Sequence, residues 1–491
     1  MSKQLRSRSL ALLVSMALFS GLFLTSTSAQ RTAGVQQNPV ASRSARNSAV
    51  AAATEAVLKE TSVIRQLSII RPVQSGLLSR AEIERSIIRN LDEDLSPAEA
   101  HANEVTLKKL GLAPADFQYR PLLIKVLTEQ VAGYYDPKSR QFYLADWIDL
   151  DGQKPIMAHE LTHALQDQHF DLRRFEHWPK GDSDAELAAH ALIEGDATLL
   201  MMLYVANNPM RALAFLKSLG GMEISSAELD KAPRALRETL LFAYQSGYEW
   251  TRDLYKQGGW GQVSKAFNDL PQSTEQILHP EKYFAREAPV KVALPDISSV
   301  LNSRTASARG QRTAAAGRLV KNQHSAGSLS SFILHPSSFA GAWRRIDSDV
   351  EGEWGFYLLL DQFLKSPSES HRAAAGWGGD RYEVYEGPRG EVMFVSLSAW
   401  DTENDAREFF EAYARRTSLR YVNAERIDAQ SGIRDRQPDQ NSNPQPLSDI
   451  RGFRTSEGSV VLERRGARVL VVEGCSEGID CRSLMNSLWR K

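Results

Sequence analysis

His159-Glu160-Leu161-Thr162-His163 is the stretch of this 491-residue chain whose residue types and spacing could do chemistry. On a helix, residues four apart lie on one face, so two imidazoles at this spacing can reach one metal ion. Glu160 projects about 100° round from His159, close enough to meet an activated water without being a ligand itself. A carboxylate there suits a general base that takes a proton from a water acidified by zinc. Ile156, Met157, Ala158, Leu161, Thr162, Ala164 and Leu165 are all uncharged. A helix buried around a metal site needs such neighbours, and a solvated helix does not. The plain alternative is a hydrogen-bonded His pair on an ordinary helix.

Zinc needs a third protein ligand, and Glu194, within Ala191-Leu192-Ile193-Glu194-Gly195-Asp196-Ala197, is the residue expected to supply it. The interval from His163 is long enough to end one helix, turn and build another. Ala188, Ala189, Gly195 and Ala197 are small, which would let this second helix approach the first closely. Glycine inside a helix costs about 1 kcal/mol against alanine, so its presence suggests close packing. A carboxylate among such neighbours is costly unless paired or metal-bound. A salt-bridged Glu is the plain alternative. His169 is the rival ligand, because metzincin-type sites place a third His six residues after the second. Those sites turn sharply at a Gly, and Gln166 stands at that position here. Gln166 predicts a helix that continues and carries His169 off the site. Around this core, Asp167 lies four residues after His163 and is a candidate to orient that imidazole. His190 lies one turn before Glu194 and is a candidate hydrogen-bond partner or transition-state donor. Either could equally face solvent. Tyr244, Tyr248, His279 and Tyr283 are unranked candidates for the oxyanion stabiliser that amide hydrolysis needs.

The elements that must position these residues are legible around them. Ser79-Arg80-Ala81-Glu82 is a capping box ahead of Ile83, Ile87, Ile88 and Leu91 on one helical face. Ser96-Pro97-Ala98-Glu99 repeats the signal, and Gly111 ends that helix. Helices are expected over 122–131, 155–168 and 185–204, with more through about 266. Gly133-Tyr134-Tyr135 and Gln141-Phe142-Tyr143-Leu144 flank the turn Asp136-Pro137-Lys138, which predicts a short antiparallel hairpin. An edge strand placed there, just before the zinc helix, could hold an extended peptide by main-chain pairing.

Lys3, Arg6 and Arg8, the apolar run 10–24 and Thr27-Ser28-Ala29 read as a signal peptide over 1–29. No later stretch reads as apolar enough to span a bilayer. Residues 30–75, rich in Ala, Ser, Arg and Gln, read as a low-complexity leader or pro-segment. A main domain is expected over 76–298, a flexible linker over 299–342 and a smaller α+β domain over 343–491. In that last domain, 382–386 pairs with 391–397 and 460–462 with 468–472, while Asp401 caps a helix through Arg416. A polar interruption falls near 435–447. Cys475 and Cys481 are the only cysteines, and in an exported chain they predict one loop-closing disulfide. The formal net charge of −1 gives no bulk case for nucleic acid or an anionic membrane.

His159 to His163 followed by Glu194 resembles the gluzincin arrangement, the two-His-one-Glu class that includes thermolysin-like peptidases. Three segments are similar to a group of bacterial exported metallopeptidase-like proteins: Val131 to Pro137, His159 to Leu172 and Ala191 to Ala197. Ser273 to Pro280 fits that pattern too. The resemblance covers roughly 76–285. It implies zinc, a zincin-like fold and the ligand roles above. Thermolysin-like enzymes carry an Asp one turn after the third ligand, and Thr198 stands there instead. Asp196 is offset from that face, so the support of the His ligands is left open. The expected chain is an α+β, exported, periplasmic or extracellular zinc metallopeptidase acting on peptide or protein substrates. The alternatives are a non-catalytic, zinc-stabilised cell-envelope binding protein and a zinc hydrolase of a non-peptide substrate.

Overall fold

The computed structural model describes residues 39–147, 150, 152–213, 227–303, 342–427, 449–476 and 478–489. The expected signal peptide, most of the expected linker and the polar interruption near 435–447 lie outside them. The protein is α+β, and it divides into two compact units. The first takes the chain up to His101 together with Ala113–Ala288; the second takes Ala102–Leu112 together with the chain from Pro289 onward.

In the first unit, helix α1 (Pro39–Arg65) leads into strand β1 (Gln74–Leu78), then α2 (Arg80–Asp94), the first turn of α3 (Pro97–Leu110), whose residues from Ala102 belong to the second unit, and α4 (Tyr119–Gln130). The hairpin β2 (Gly133–Asp136) and β3 (Gln141–Ala145) follows, then α5 (Lys154–Phe170), a 3₁₀ turn over Leu172–His177 and α6 (Ser183–Ala206). Helices α7 (Ala227–Lys231), α8 (Arg234–Ala266), α9 (Thr274–Leu278) and α10 (Pro280–Phe284) complete it. The capping boxes at Ser79 and Ser96 are formed as their sequences predict. The hairpin forms too, with the Asp136 carboxylate accepting from the Lys138 amide and the Ser139 hydroxyl. Unforeseen is β1, which pairs in parallel with β3, so the sheet runs β1-β3-β2.

The largest correction concerns the expected leader. Residues 39–65 form a helix whose Val50, Thr54, Val57, Leu58, Thr61 and Arg65 are buried. That spacing is one helical stripe. Its polar members and the many small residues around it conceal the period. Helix α1 packs on α5, α6 and β1, and so belongs to the unit that carries the site.

Helix α5 is buried on every side from Ile156 to Asp167. It ends at Asp171, whose left-handed backbone (φ 54°) turns the chain away. Helix α6 corrects the expectation that no later stretch could span a bilayer: its length and composition suffice, but 89% of its most apolar window is buried. It is apolar because it is packed between α5 and α8.

The second unit carries a seven-stranded antiparallel sheet in the order β4-β5-β6-β10-β9-β8-β7. Its strands are β4 (Arg344–Asp349), β5 (Trp377–Glu386), β6 (Val392–Trp400), β7 (Glu425–Ile427), β8 (Asp449–Thr455), β9 (Gly458–Arg465) and β10 (Arg468–Cys475). Helices α11 (Gly352–Leu364), α12 (Pro367–Ala374), α13 (Glu403–Arg420) and α14 (Cys481–Leu488) accompany them. Both expected strand pairs are present. The cap of α13 is Thr402 in a capping box with Asp405, one residue later than the expected Asp401. The Cys475–Cys481 disulfide is formed. The expected boundary also shifts. Ile297 and Leu301 are buried with Trp343, Tyr385 and Met393, so the second unit's core begins before the expected linker ends. Lys109 pairs with Glu457, and the Leu110 carbonyl accepts from Arg416, which ties the end of α3 into the same unit.

Candidate metal centre

Helix α5 supplies His159, Glu160 and His163, and α6 supplies Glu194. Pro155 sits in the first turn of α5, where its missing N–H leaves no donor unsatisfied. Asp182 caps α6 by accepting from the Ala185 amide. Crossing these two helices brings three donor atoms together. His159 Nε2 lies 3.1 Å from Glu194 Oε2, His163 Nε2 lies 3.6 Å from the same oxygen, and the two imidazole nitrogens are 3.2 Å apart. Donors around a tetrahedral zinc with bonds of about 2.0–2.1 Å stand about 3.3 Å from one another, so a triangle of this size fits the ion. All three side chains are buried. Among the described residues, this is the buried His–carboxylate group with the donor set a zinc ion takes.

Buried donors held this close must have their charges matched. Burial lowers the His159 pKa. Burial pushes the His163 imidazole down as well, but the Glu194 carboxylate beside it more than compensates and raises it on balance. Burial would raise Glu194, and the charge on His163 instead holds it well below the usual carboxylate range. Each member of the pair thus favours the charged form of the other. A divalent cation bound between them would supply the same positive charge.

Glu160 is not in the triangle. Its Oε2 accepts from the Tyr135 amide of β2 at 3.0 Å, while its buried Oε1 has no hydrogen-bond partner among the described residues. Burial pushes its pKa up to about 8. A carboxylate pinned at one oxygen and open at the other is the arrangement a water-directed base requires.

The support of His163 corrects the expectation for Asp167. Gln166 does that work, its Oε1 standing 2.9 Å from His163 Nδ1. Gln166 Nε2 donates to the Ile193 carbonyl and to Asp196 Oδ2, and Asp196 Oδ1 accepts from Arg65 Nε. Asp167 instead accepts from the Arg71 guanidinium, the Tyr135 hydroxyl and the Leu172 amide, which places it in the link between α5 and its neighbours. Gln166 was legible only as a sign that the helix continues. Its position three residues after His163, on the same face, was the available clue to its second role. Nothing local marks Arg65, which lies 131 positions from Asp196.

The other candidates divide. The helix does continue to Phe170, and His169 Nε2 lies 2.8 Å from the Ser68 carbonyl, outside the triangle. His190 is buried, with Nε2 3.8 Å from Glu186 and Nδ1 without a hydrogen-bond partner among the described residues. The Tyr244 ring stacks on His159 at 6.1 Å between centroids, so it adjoins the site. Tyr248 lies under Arg252, His279 is 3.9 Å from Glu281, and Tyr283 gives its hydroxyl hydrogen to the Asp269 carbonyl.

Gly195 proves to serve a different contact from the one expected. A Cβ there would stand 2.1 Å from the Gly247 carbonyl oxygen and 2.6 Å from Thr251 Oγ1, both on α8. A Cβ on Gly247 would in turn meet the Ala191 carbonyl at 2.2 Å. The glycine pair thus seats α8 behind the ligand helix, and α5 packs on the other side. Gly195→Ala should lower stability by about 1–3 kcal/mol through overpacking, read as a shift in the urea midpoint at constant slope. It should also weaken metal binding, because Glu194 is the adjacent residue. An unchanged midpoint would show that the two helices can part freely.

Comparison with known proteins bears on the second unit. No curated protein and no solved structure matches the chain. Residues 340–480 match a family model described as a domain of unknown function (DUF8575).

Proposed function

We propose that the chain is an exported zinc metallopeptidase in which His159, His163 and Glu194 hold the ion and Glu160 is the general base. The observation that carries this reading is the triangle of His159, His163 and Glu194 donors, 3.1–3.6 Å on each side. Glu160, with its open oxygen, is electrostatically coupled to both His163 and Glu194. A zincin-like fold accords with two ligand-bearing helices beside a short mixed sheet. Zinc, when bound, would polarise a scissile carbonyl and make a neighbouring water acidic enough to lose a proton near neutral pH. Glu160 takes that proton at Oε1 and hands it to the leaving amine, held in place through Oε2 by the Tyr135 amide. Tyr244, whose ring stacks on His159, and His190, one turn before Glu194 on α6, are the candidate donors for the developing oxyanion. Strand β2 lies at a sheet edge, where an extended peptide can pair with main chain. Export rests on the signal-peptide pattern of residues 1–29.

One observation favours a second reading, a zinc site that stabilises a binding protein without turnover. His159, Glu160 and His163 are 0% exposed and Glu194 is 1% exposed. Structural zinc sites are closed and catalytic ones keep a position open. Against it stands Glu160, which a structural site does not need. The deciding experiment uses the chain without residues 1–29 and measures bound metal beside hydrolysis of a broad peptide library. One zinc per chain with cleavage supports the peptidase. Zinc without cleavage supports the second reading, and no zinc overturns both.

A further inference from the structure

We infer that Arg65 is a positioning residue for the metal centre, acting on His163 through Asp196 and Gln166. The helix that carries it is then a working part of the site and not a removable leader. This rests on the metal reading above. Hydrogen-bond polarity carries the argument. An amide side chain usually has two orientations that are hard to tell apart. Gln166 has only one, because its Nε2 lies 3.0 Å from the Ile193 carbonyl and 2.9 Å from Asp196 Oδ2, both acceptors that need its two hydrogens. Its Oε1 must therefore face His163 Nδ1, which must carry hydrogen. With Nδ1 engaged in this way, Nε2 is the nitrogen left to face Glu194 and His159, and the one that would take the metal.

The chain of bonds needs Asp196 to accept at both oxygens, and it does so from Gln166 Nε2 at Oδ2 and from Arg65 Nε at Oδ1. Arg65 fixes the second of these contacts: a guanidinium only donates, its Nε is 2.6 Å from Asp196 Oδ1, and both side chains are 0% exposed. Arg65 is held in turn by the Ser264 hydroxyl at 3.1 Å and by the Trp260 ring, 4.5 Å from its centroid. The next residues reinforce the link. The amides of Ile70 and Arg71 both donate to Gln168 Oε1 on α5, and the Arg71 side chain reaches Asp167. Removing the chain before residue 75 would strip both supports from the ligand helix.

The test compares zinc affinity, by competition with a chelator, and the cobalt(II) absorption bands of the saturated protein. Asp196→Asn is isosteric and presents an amide hydrogen to Gln166, turning it so that an N–H faces His163. Zinc affinity should fall about 10–100-fold, and the cobalt bands should shift because the ligand itself is reoriented. Gln166→Leu should match it, and the double variant should lose no more than either single one. Leu58→Ala loosens the same helix without touching the chain of bonds, and it should keep wild-type affinity and bands. Arg65→Met, if folded by circular dichroism, should resemble Asp196→Asn, and Asp196→Asn carries the test if it is not. Wild-type affinity in Asp196→Asn, additive losses in the double variant, or an equal loss in Leu58→Ala would overturn the inference. If the wild type binds no zinc, the metal reading falls and takes this one with it. If the wild type binds zinc and Asp196→Asn binds it equally well, only this inference falls.

Discussion

Glu160→Gln should retain one zinc per chain and lose peptide hydrolysis by about 10²–10⁴-fold, the usual contribution of a positioned general base. The substitution is well isolated. Glutamine has the same volume as glutamate, and its amide oxygen can still accept from the Tyr135 amide that now holds Oε2. What disappears is the capacity of the other oxygen, which has no hydrogen-bond partner among the described residues, to receive a proton. Because Glu160 lies outside the donor triangle, metal content should not follow activity. The variant also removes a buried carboxylate that burial disfavours, so it should be at least as stable to urea as the wild type. Hydrolysis at the wild-type rate with zinc in place would remove Glu160 from the mechanism. Loss of zinc together with activity would make it a ligand or a structural support instead.

The sequence carried the centre of this site and not its frame. His159, Glu160, His163 and Glu194 were legible because metal chemistry leaves few residue types and few helical spacings to choose from. The hairpin beside them was legible through Asp136-Pro137-Lys138, where turn chemistry is local. The second unit's inner strands β5, β6, β9 and β10 were legible from the apolar runs that flank glycine turns, whereas the edge strands β4 and β7 and their neighbour β8 were not, since mixed polarity carries little period. The support of His163 was left open, with Asp167 as a candidate, because residues three and four apart both lie on the ligand's face and only packing decides between them. Here Arg71 and Tyr135 claim Asp167, leaving Gln166 for the imidazole. Arg65 could not be found at all. Its partner lies far along the chain, and its own helix buries Thr54, Thr61 and Arg65 where an apolar stripe would have been noticed. Gly195 was identified as a close-packing residue but assigned to the wrong neighbour, because a missing side chain shows that something approaches and not what.

Glu194→Gln should bind zinc about 100–1000-fold more weakly than the wild type while the protein stays folded. A structural zinc site contributes roughly 10–16 kcal/mol over its ligand set, so one ligand is worth on the order of 3–4 kcal/mol. Glutamine keeps the shape of Glu194 but loses the charge that balances a divalent ion between two imidazoles. The same change has a signature without metal. In the wild type, the His163 charge lowers the Glu194 pKa despite burial. A lowered carboxylate adds stability that is present above its unfolded pKa and is lost as pH falls through its folded one. The metal-free wild type should therefore lose stability through the acid range, and Glu194→Gln should lack that part of the loss, as urea midpoints against pH would show. Zinc retained at wild-type affinity would mean that the ion is held by α5 alone. His169 could not then replace Glu194 while its Nε2 stays at the Ser68 carbonyl. The crossing of α6 over α5, with Gly195 and Gly247 letting α8 close behind it, would be packing without a metal to serve.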